Sequence, residues 1–69
     1  MPLTMAPVGV QNRILKFTGR DETRKFLEKL GFIVGSTVTV VSELGGNMIV
    51  NVKDARVAID KAMANRIMI

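Results

Sequence analysis

The chain of 69 residues contains no cysteine, histidine, tryptophan or tyrosine. The first two absences exclude disulfides, thiolate and imidazole metal ligands, and the commonest general acid-base residue. The six carboxylates are scattered and form no calcium-type loop, and Ser36 and Ser42 have no histidine that could act as their base. We therefore expect no enzyme, no cofactor and no dedicated metal site.

Only three aromatic residues are present, Phe17, Phe26 and Phe32. Grooves for proline-rich peptides are lined with aromatic side chains, and single-stranded nucleic acids stack on exposed ones. Phe26 has the spacing of a helix residue that faces the core, and Phe17 and Phe32 are most simply explained as core residues. These residues favour neither kind of binding site, while electrostatic binding of a nucleic-acid backbone stays open.

No apolar run approaches the roughly 18 residues of a membrane-spanning helix, and the first residues lack the pattern of a signal peptide. Hydrophobic residues make up 48% of the chain, which is enough for a folded domain. A chain of this size buries only about 60% of its unfolded surface, so its core is small. We expect a single cytoplasmic domain over residues 1–69.

Two runs rich in β-branched residues, 37–42 and 48–53, predict a β-hairpin with a Gly-Gly loop over residues 43–47. We predict that Ser42 faces Met48 in this hairpin. The core-facing pairs that follow from this register are Val38 with Val52 and Val40 with Val50.

The other face of the hairpin is polar except near its loop. There the predicted register pairs Val41 with Ile49, and Leu44 lies beside them. Grouped apolar residues on a surface often mark a contact site. The alternative is that strand curvature places them in the barrel or against the terminal segment.

A helix is predicted over residues 20–30, with Thr18 or Asp21 as its N-terminal cap and Gly31 as its stop signal. One face of this helix is apolar. Its residues are Thr23, Phe26, Leu27 and Leu30.

Shorter elements complete the prediction. Residues 8–17 form a strand with a bend or bulge, residues 56–60 a second alternating strand, residues 61–66 a helical turn, and residues 67–69 a closing strand. Four or five short strands and one helix predict a mainly β fold. We expect a small barrel with one amphipathic helix inserted after the first strand.

The net charge of +4 comes mostly from the first half of the chain. This excess can attract nucleic acid, an anionic membrane surface or an acidic protein partner. Arg24, Lys25 and Lys29 on the predicted helix are candidate contacts. The alternative is an ordinary solvated helix face, since the charges of this helix are spaced for pairing along its surface.

Five segments carry a resemblance to a known family: PVG, TRKFLEKLGF, VGSTVTVVS, LGGNMIVNV and RVAIDKAMANRIMI, in this order. Together they resemble ferrous iron transport protein A, FeoA, over nearly the whole chain. The resemblance implies a small SH3-like barrel and a family-level association with transition metal ions. It implies a partner, the membrane permease FeoB, which imports Fe(II) and carries a G-protein-like domain. FeoA has no catalytic or metal-ligand motif to transfer to this sequence.

We therefore expect an accessory protein with a regulatory or assembly role, recruited to the inner face of the membrane through the cytosolic side of FeoB. The candidate contact residues are Val41, Leu44, Ile49, Arg24, Lys25 and Lys29. One alternative is a small basic barrel that binds nucleic acid with steep salt dependence. The other is an iron-responsive module similar to the C-terminal domain of DtxR-type repressors, although the chain has no helix-turn-helix module.

Overall fold

Six strands and two helices follow one another along the chain in the computed structural model, which describes residues 1–69. A 3₁₀ turn at Leu3–Met5 precedes the first strand. The strands are β1 (Gln11–Arg13), β2 (Lys16–Phe17), β3 (Thr37–Leu44), β4 (Asn47–Val52), β5 (Ala55–Asp60) and β6 (Ile67–Met68). The helices are α1 (Asp21–Lys29) and α2 (Lys61–Ala64).

The strands form two antiparallel sheets. The larger has the order β1-β3-β4-β5, and the smaller consists of β2 and β6. This arrangement confirms a mainly β fold whose principal helix follows the first strands. The strand β5 is the last in its sheet, so one of its edges has no neighbouring strand.

The hairpin of β3 and β4 supplies much of the core. The predicted pairs Val38 with Val52 and Val40 with Val50 are confirmed, and all four side chains are buried. Alternation along both strands places these valines on one face, where they join a core built from several other segments of the chain. The buried core consists of Leu3, Ala6, Ile14, Leu27, Phe32, Val38, Val40, Met48, Val50, Val52, Ile59, Ala64 and Ile67.

A β-bulge changes the register near the end of the hairpin. Ser42 pairs with Ile49, and the register shifts between Val40 and Ser42, so Val41 is the extra residue. The predicted facing of Ser42 and Met48 is therefore wrong, as is the pairing of Val41 with Ile49. The strands continue to residues 44 and 47, and the loop is shorter than the predicted 43–47.

The predicted strand over residues 8–17 is divided between the two sheets. β1 pairs with β3, whereas β2 pairs with β6. Between them, buried Ile14 donates its N–H to the carbonyl of Ser36 at 2.9 Å, and Leu15 donates its N–H to Met68 at 2.8 Å. The predicted bend is thus the point at which the chain crosses from one sheet to the other.

Helix α1 ends as predicted but begins differently. The N-cap is Arg20, which makes no side-chain cap hydrogen bond, so neither Thr18 nor Asp21 has the predicted capping role. Thr18 instead donates its backbone N–H to Arg66, which extends the pairing of β2 with β6. Asp21 lies within the first turn, where its negative charge interacts favourably with the helix dipole and stabilises the helix.

The C-terminus of α1 forms a Schellman motif around Gly31. The φ angle of Gly31 is 106°, and its N–H donates to the carbonyl of Glu28. The N–H of Phe32 donates to the carbonyl of Leu27 at 3.0 Å. Both Leu27 and Phe32 are fully buried, which matches the apolar contact that accompanies this motif.

The last part of the chain follows the prediction closely. The helical turn α2 lies within the predicted 61–66, and β6 lies within the predicted 67–69. The Asp60 carboxylate caps α2 by accepting the N–H of Met63 at 2.8 Å. This turn brings Met63 to the same surface groove as Phe26 and Leu30 of α1.

Candidate protein-docking site

The six predicted contact residues lie on two separate surfaces. On the hairpin, Leu44 is 67% exposed, whereas Val41 and Ile49 are half-buried. The bulge lies beside the N-terminal segment, because Gly9 donates its N–H to the carbonyl of Val40 at 2.8 Å. The hairpin patch therefore presents one prominent side chain, Leu44, at the end of β3.

The three predicted basic contacts are exposed on α1. The Arg24 guanidinium lies 4.0 Å from the Asp21 carboxylate, in an ion pair open to solvent. Lys25 and Lys29 form no ion pair. Such exposed charges contribute little to stability, so these two lysines are free to meet a partner.

An apolar groove lies between α1, the end of β5 and α2. Its volume is about 230 Å³, and five of its six lining residues are hydrophobic. The lining residues are Phe26, Leu30, Ala58, Ile59, Asp60 and Met63. The groove therefore joins two segments that lie more than 25 residues apart in sequence.

Phe26 lies on one wall of this groove and is 48% exposed. Its prediction as a core residue was therefore wrong, although Phe32 is fully buried and Phe17 packs against the core. The apolar stripe of α1 is wider than the surface on which the helix packs. Only Leu27 of the helix becomes fully buried, and Phe26 is left at the open side.

The sequence does contain a signal for this groove. The apolar face of α1 spans Phe26, Leu27 and Leu30, which is more than a short helix needs to cover a small sheet. An apolar stripe of that width indicates either a large core or an exposed portion. In a chain of 69 residues the second possibility has the greater weight.

The chemistry of the groove suits apolar recognition. Its only ionisable lining residue is Asp60, whose carboxylate is engaged in capping α2. Its volume is below the roughly 300–1,000 Å³ typical of pockets that enclose small molecules. The groove therefore fits individual side chains of a partner better than a metabolite.

Side chains of the types that commonly bind metals are few in this chain. No three side chains of the metal-binding types lie close enough together to hold an ion. The carboxylates are the only such side chains in the chain, and hard oxygen ligands in isolation bind weakly. In addition, no helix is long and apolar enough to cross a membrane.

Comparison with known proteins places the fold among small iron-uptake proteins. The family model of the FeoA domain matches residues 1–69, while no curated protein matches. The chain is similar to the crystal structure of an iron uptake regulatory protein, FeoA, with 29% identity and a TM-score of 0.87, over 96% of this chain and 88% of that one. It is also similar to zinc-complexed FeoA of Stenotrophomonas maltophilia, an SH3 domain protein, with 26% identity and a TM-score of 0.74, over 99% and 87%.

A manganese-dependent transcriptional repressor shares the fold as well. It is 17% identical, with a TM-score of 0.86, and the match covers 97% of this chain but only 39% of the repressor. That likeness shows the fold alone. The barrel predicted from the sequence is SH3-like, as in its structural neighbours. Because the family model covers every residue, this chain belongs to the FeoA family, which is associated with ferrous iron transport.

Proposed function

We propose that this protein is an accessory component of ferrous iron uptake that binds the cytosolic side of the FeoB permease. It acts through its surface and catalyses no reaction itself. The observation that carries this proposal is the exposed apolar groove with Phe26 on its wall. The groove brings several apolar side chains together at the surface, and contiguous exposed apolar surface often marks a contact site.

The groove is a better docking site than the hairpin patch. Interface hot spots are enriched in aromatic residues that meet a partner in a concave, desolvated setting. Phe26 lies on the wall of a groove that a partner can fill, whereas Leu44 ends strand β3 and lines no groove. The hairpin patch of Val41, Leu44 and Ile49 is the second candidate surface.

The charges near the groove support association with an acidic partner. Lys29 follows Phe26 by three residues, so the two side chains are neighbours on α1. Lys25 lies one turn before Lys29 on the same exposed side. Charges at the rim of an interface chiefly raise the association rate and set specificity.

A regulatory effect follows if the groove binds one state of the permease better than another. A binding partner shifts a conformational equilibrium only by the difference in its affinity for the two states. The permease has a G-protein-like domain, so its nucleotide states supply such a pair. The accessory role then needs no chemistry in this chain.

Calorimetric titration against the cytosolic region of FeoB from the same organism tests this function. We expect Phe26→Ala to weaken binding by about tenfold or more, as for other truncated aromatic anchors. Leu15→Ala is the matched control, because Leu15 is 60% exposed and lies away from the groove. Leu44→Ala tests the hairpin patch in the same series.

The outcomes separate the possible errors. If the wild-type protein binds FeoB in none of its nucleotide states, the proposed function is rejected. If Phe26→Ala binds normally and Leu44→Ala does not, the partner contacts the hairpin patch instead. Equal losses in Phe26→Ala and Leu15→Ala would show that neither position identifies the site.

A further inference from the structure

We infer that β5 accepts an extended segment of the partner as an added strand, with an apolar side chain of that segment in the groove and acidic residues on either side. This inference rests on the proposed function, since it uses the same groove. It adds the conformation and the chemistry of the segment that is bound.

The outer edge of β5 has backbone groups without a partner. None of the hydrogen bonds outside the regular ladders involves the main chain of residues 55–60. Lys61 donates its N–H to Gly46 at 3.0 Å, which identifies the pair formed by these two residues as hydrogen-bonded. Hydrogen-bonded and non-bonded pairs alternate in an antiparallel ladder. The N–H and C=O groups of Ala58 and Arg56 therefore point away from β4.

The groove opens along this edge. Three consecutive residues, Ala58, Ile59 and Asp60, line it. Neighbouring residues of a strand point to opposite faces, so a groove on one face would be lined by alternate residues. Phe26 of α1 lies on the opposite wall. A strand added to β5 would pass the mouth of the groove, and alternate side chains of that strand would point into it.

The edge carries few of the features that prevent strand addition. Proteins protect such edges with proline, bulges, inward charges or very short strands. β5 has six residues in unbroken register with β4, without proline or glycine. The opposite edge strand of the sheet, β1, has only three residues. β5 is thus the edge best suited to receive another strand.

The charges on β5 and on α1 favour an acidic segment. Arg56, Lys25 and Lys29 form no ion pair, although Arg56 donates a hydrogen bond to Asn51 at 3.2 Å. Two carboxylates oppose these three cations: Glu22, which precedes Phe26 by four residues on α1, and Asp60, which lines the groove and caps α2. Carboxylates that flank the apolar side chain would meet this excess of positive charge.

The same charges disfavour a second copy of this chain. A symmetric contact between two β5 strands would bring identical surfaces together. Arg56 and the α1 lysines of one copy would then face those of the other. Like charges across an interface oppose association.

Selection from a displayed library of random eight-residue peptides tests the inference. We expect the selected peptides to alternate apolar and other residues, with Asp or Glu near the apolar positions. A pattern of apolar residues at spacings of three and four would indicate a docked helix, and a proline-rich pattern would indicate polyproline recognition. Either pattern, or no enrichment, would overturn the inference.

Amide exchange measured by NMR with a selected peptide gives a second test. We expect the amides of Arg56 and Ala58 to exchange at least about tenfold more slowly when the peptide is bound. Ala58→Pro removes an outward N–H, and proline is tolerated at such edge positions, so binding should be lost while thermal unfolding stays similar. Ala58→Ser keeps the N–H, so we expect it to bind the peptide more tightly than Ala58→Pro does.

Unchanged exchange at both amides would refute strand addition even if Ala58→Pro fails to fold. The FeoB titration distinguishes this failure from a failure of the proposed function. Binding of FeoB that depends on Phe26, without strand addition, leaves the function in place and rejects only the mode of binding. Absence of FeoB binding rejects the function whatever the peptides show.

Discussion

Replacing Phe26 and Phe32 separately by alanine makes the same chemical change in two settings. Phe32 is fully buried, whereas Phe26 is 48% exposed. Burial of a large apolar side chain contributes about 1.5–3 kcal/mol, so the half-buried ring of Phe26 contributes about 1 kcal/mol to the free energy of unfolding. Phe32→Ala leaves a cavity and is expected to cost about 3–5 kcal/mol.

Urea unfolding followed by circular dichroism measures both changes. A loss of 1 kcal/mol lowers the melting temperature of a domain of this size by about 4–8 °C, so Phe26→Ala should remain folded. Small domains rarely have more than about 3–5 kcal/mol of stability, so Phe32→Ala should be largely unfolded at room temperature. The slope of the free energy of unfolding against urea concentration should be unchanged for Phe26→Ala.

A loss of stability in Phe26→Ala equal to that in Phe32→Ala would refute the reasoning. Phe26 would then be a core residue in solution, and the groove would be closed. Both the proposed docking site and the added strand would lose their anchor. A small loss of stability with a large loss of partner affinity would instead support a surface kept exposed for binding.

Three further substitutions test the local structure by the same unfolding measurement. Asp60→Ala should cost about 0.5–2 kcal/mol, because the Asp60 carboxylate accepts a backbone N–H of α2 at 2.8 Å. Asp60→Asn should recover most of this loss. An effect near zero in Asp60→Ala would show that the cap contributes nothing to stability. Gly31→Ala should cost about 1–2 kcal/mol or more, because the φ angle of Gly31 is 106°. Gly46→Ala should cost less, because the φ angle of Gly46 is not positive and the space around it is open. Similar losses of stability in the two variants would contradict this conformational argument. Lys61→Ala removes an exposed ion pair of 3.6 Å and should cost no more than about 1 kcal/mol, so a larger effect would show a role beyond that pair.

Several local features of the fold were predictable because they depend on short stretches of sequence. The valine pairs of the hairpin follow from alternation, and the end of α1 follows from Gly31, which adopts a positive φ. The turn α2 and the strand β6 also occur where the pattern predicts them. The cap of α1 was not predictable in the same way, because Thr18 is drawn into pairing with Arg66 from the far end of the chain.

The candidate site was predicted only in part. Lys25 and Lys29 were selected from the sequence and lie on the same helix as the groove. Phe26 was assigned to the core because its spacing matches Leu27 and Leu30, and spacing does not reveal how much surface is available to cover a helix. The role of Val41, Leu44 and Ile49 as partner contacts stays a prediction.

The sequence by itself determined the class of this protein: a small, mainly β domain with a basic amphipathic helix, no nucleophile with a histidine or cysteine partner, and the residue order of the FeoA family. These properties depend on composition, periodicity and local turns. The tertiary structure alone decided the bulge at Val41, the crossing between sheets at Ile14, and the exposure of Phe26. Each of these features depends on which distant segment occupies the neighbouring space. The groove exists because α1, β5 and α2 leave a space between them.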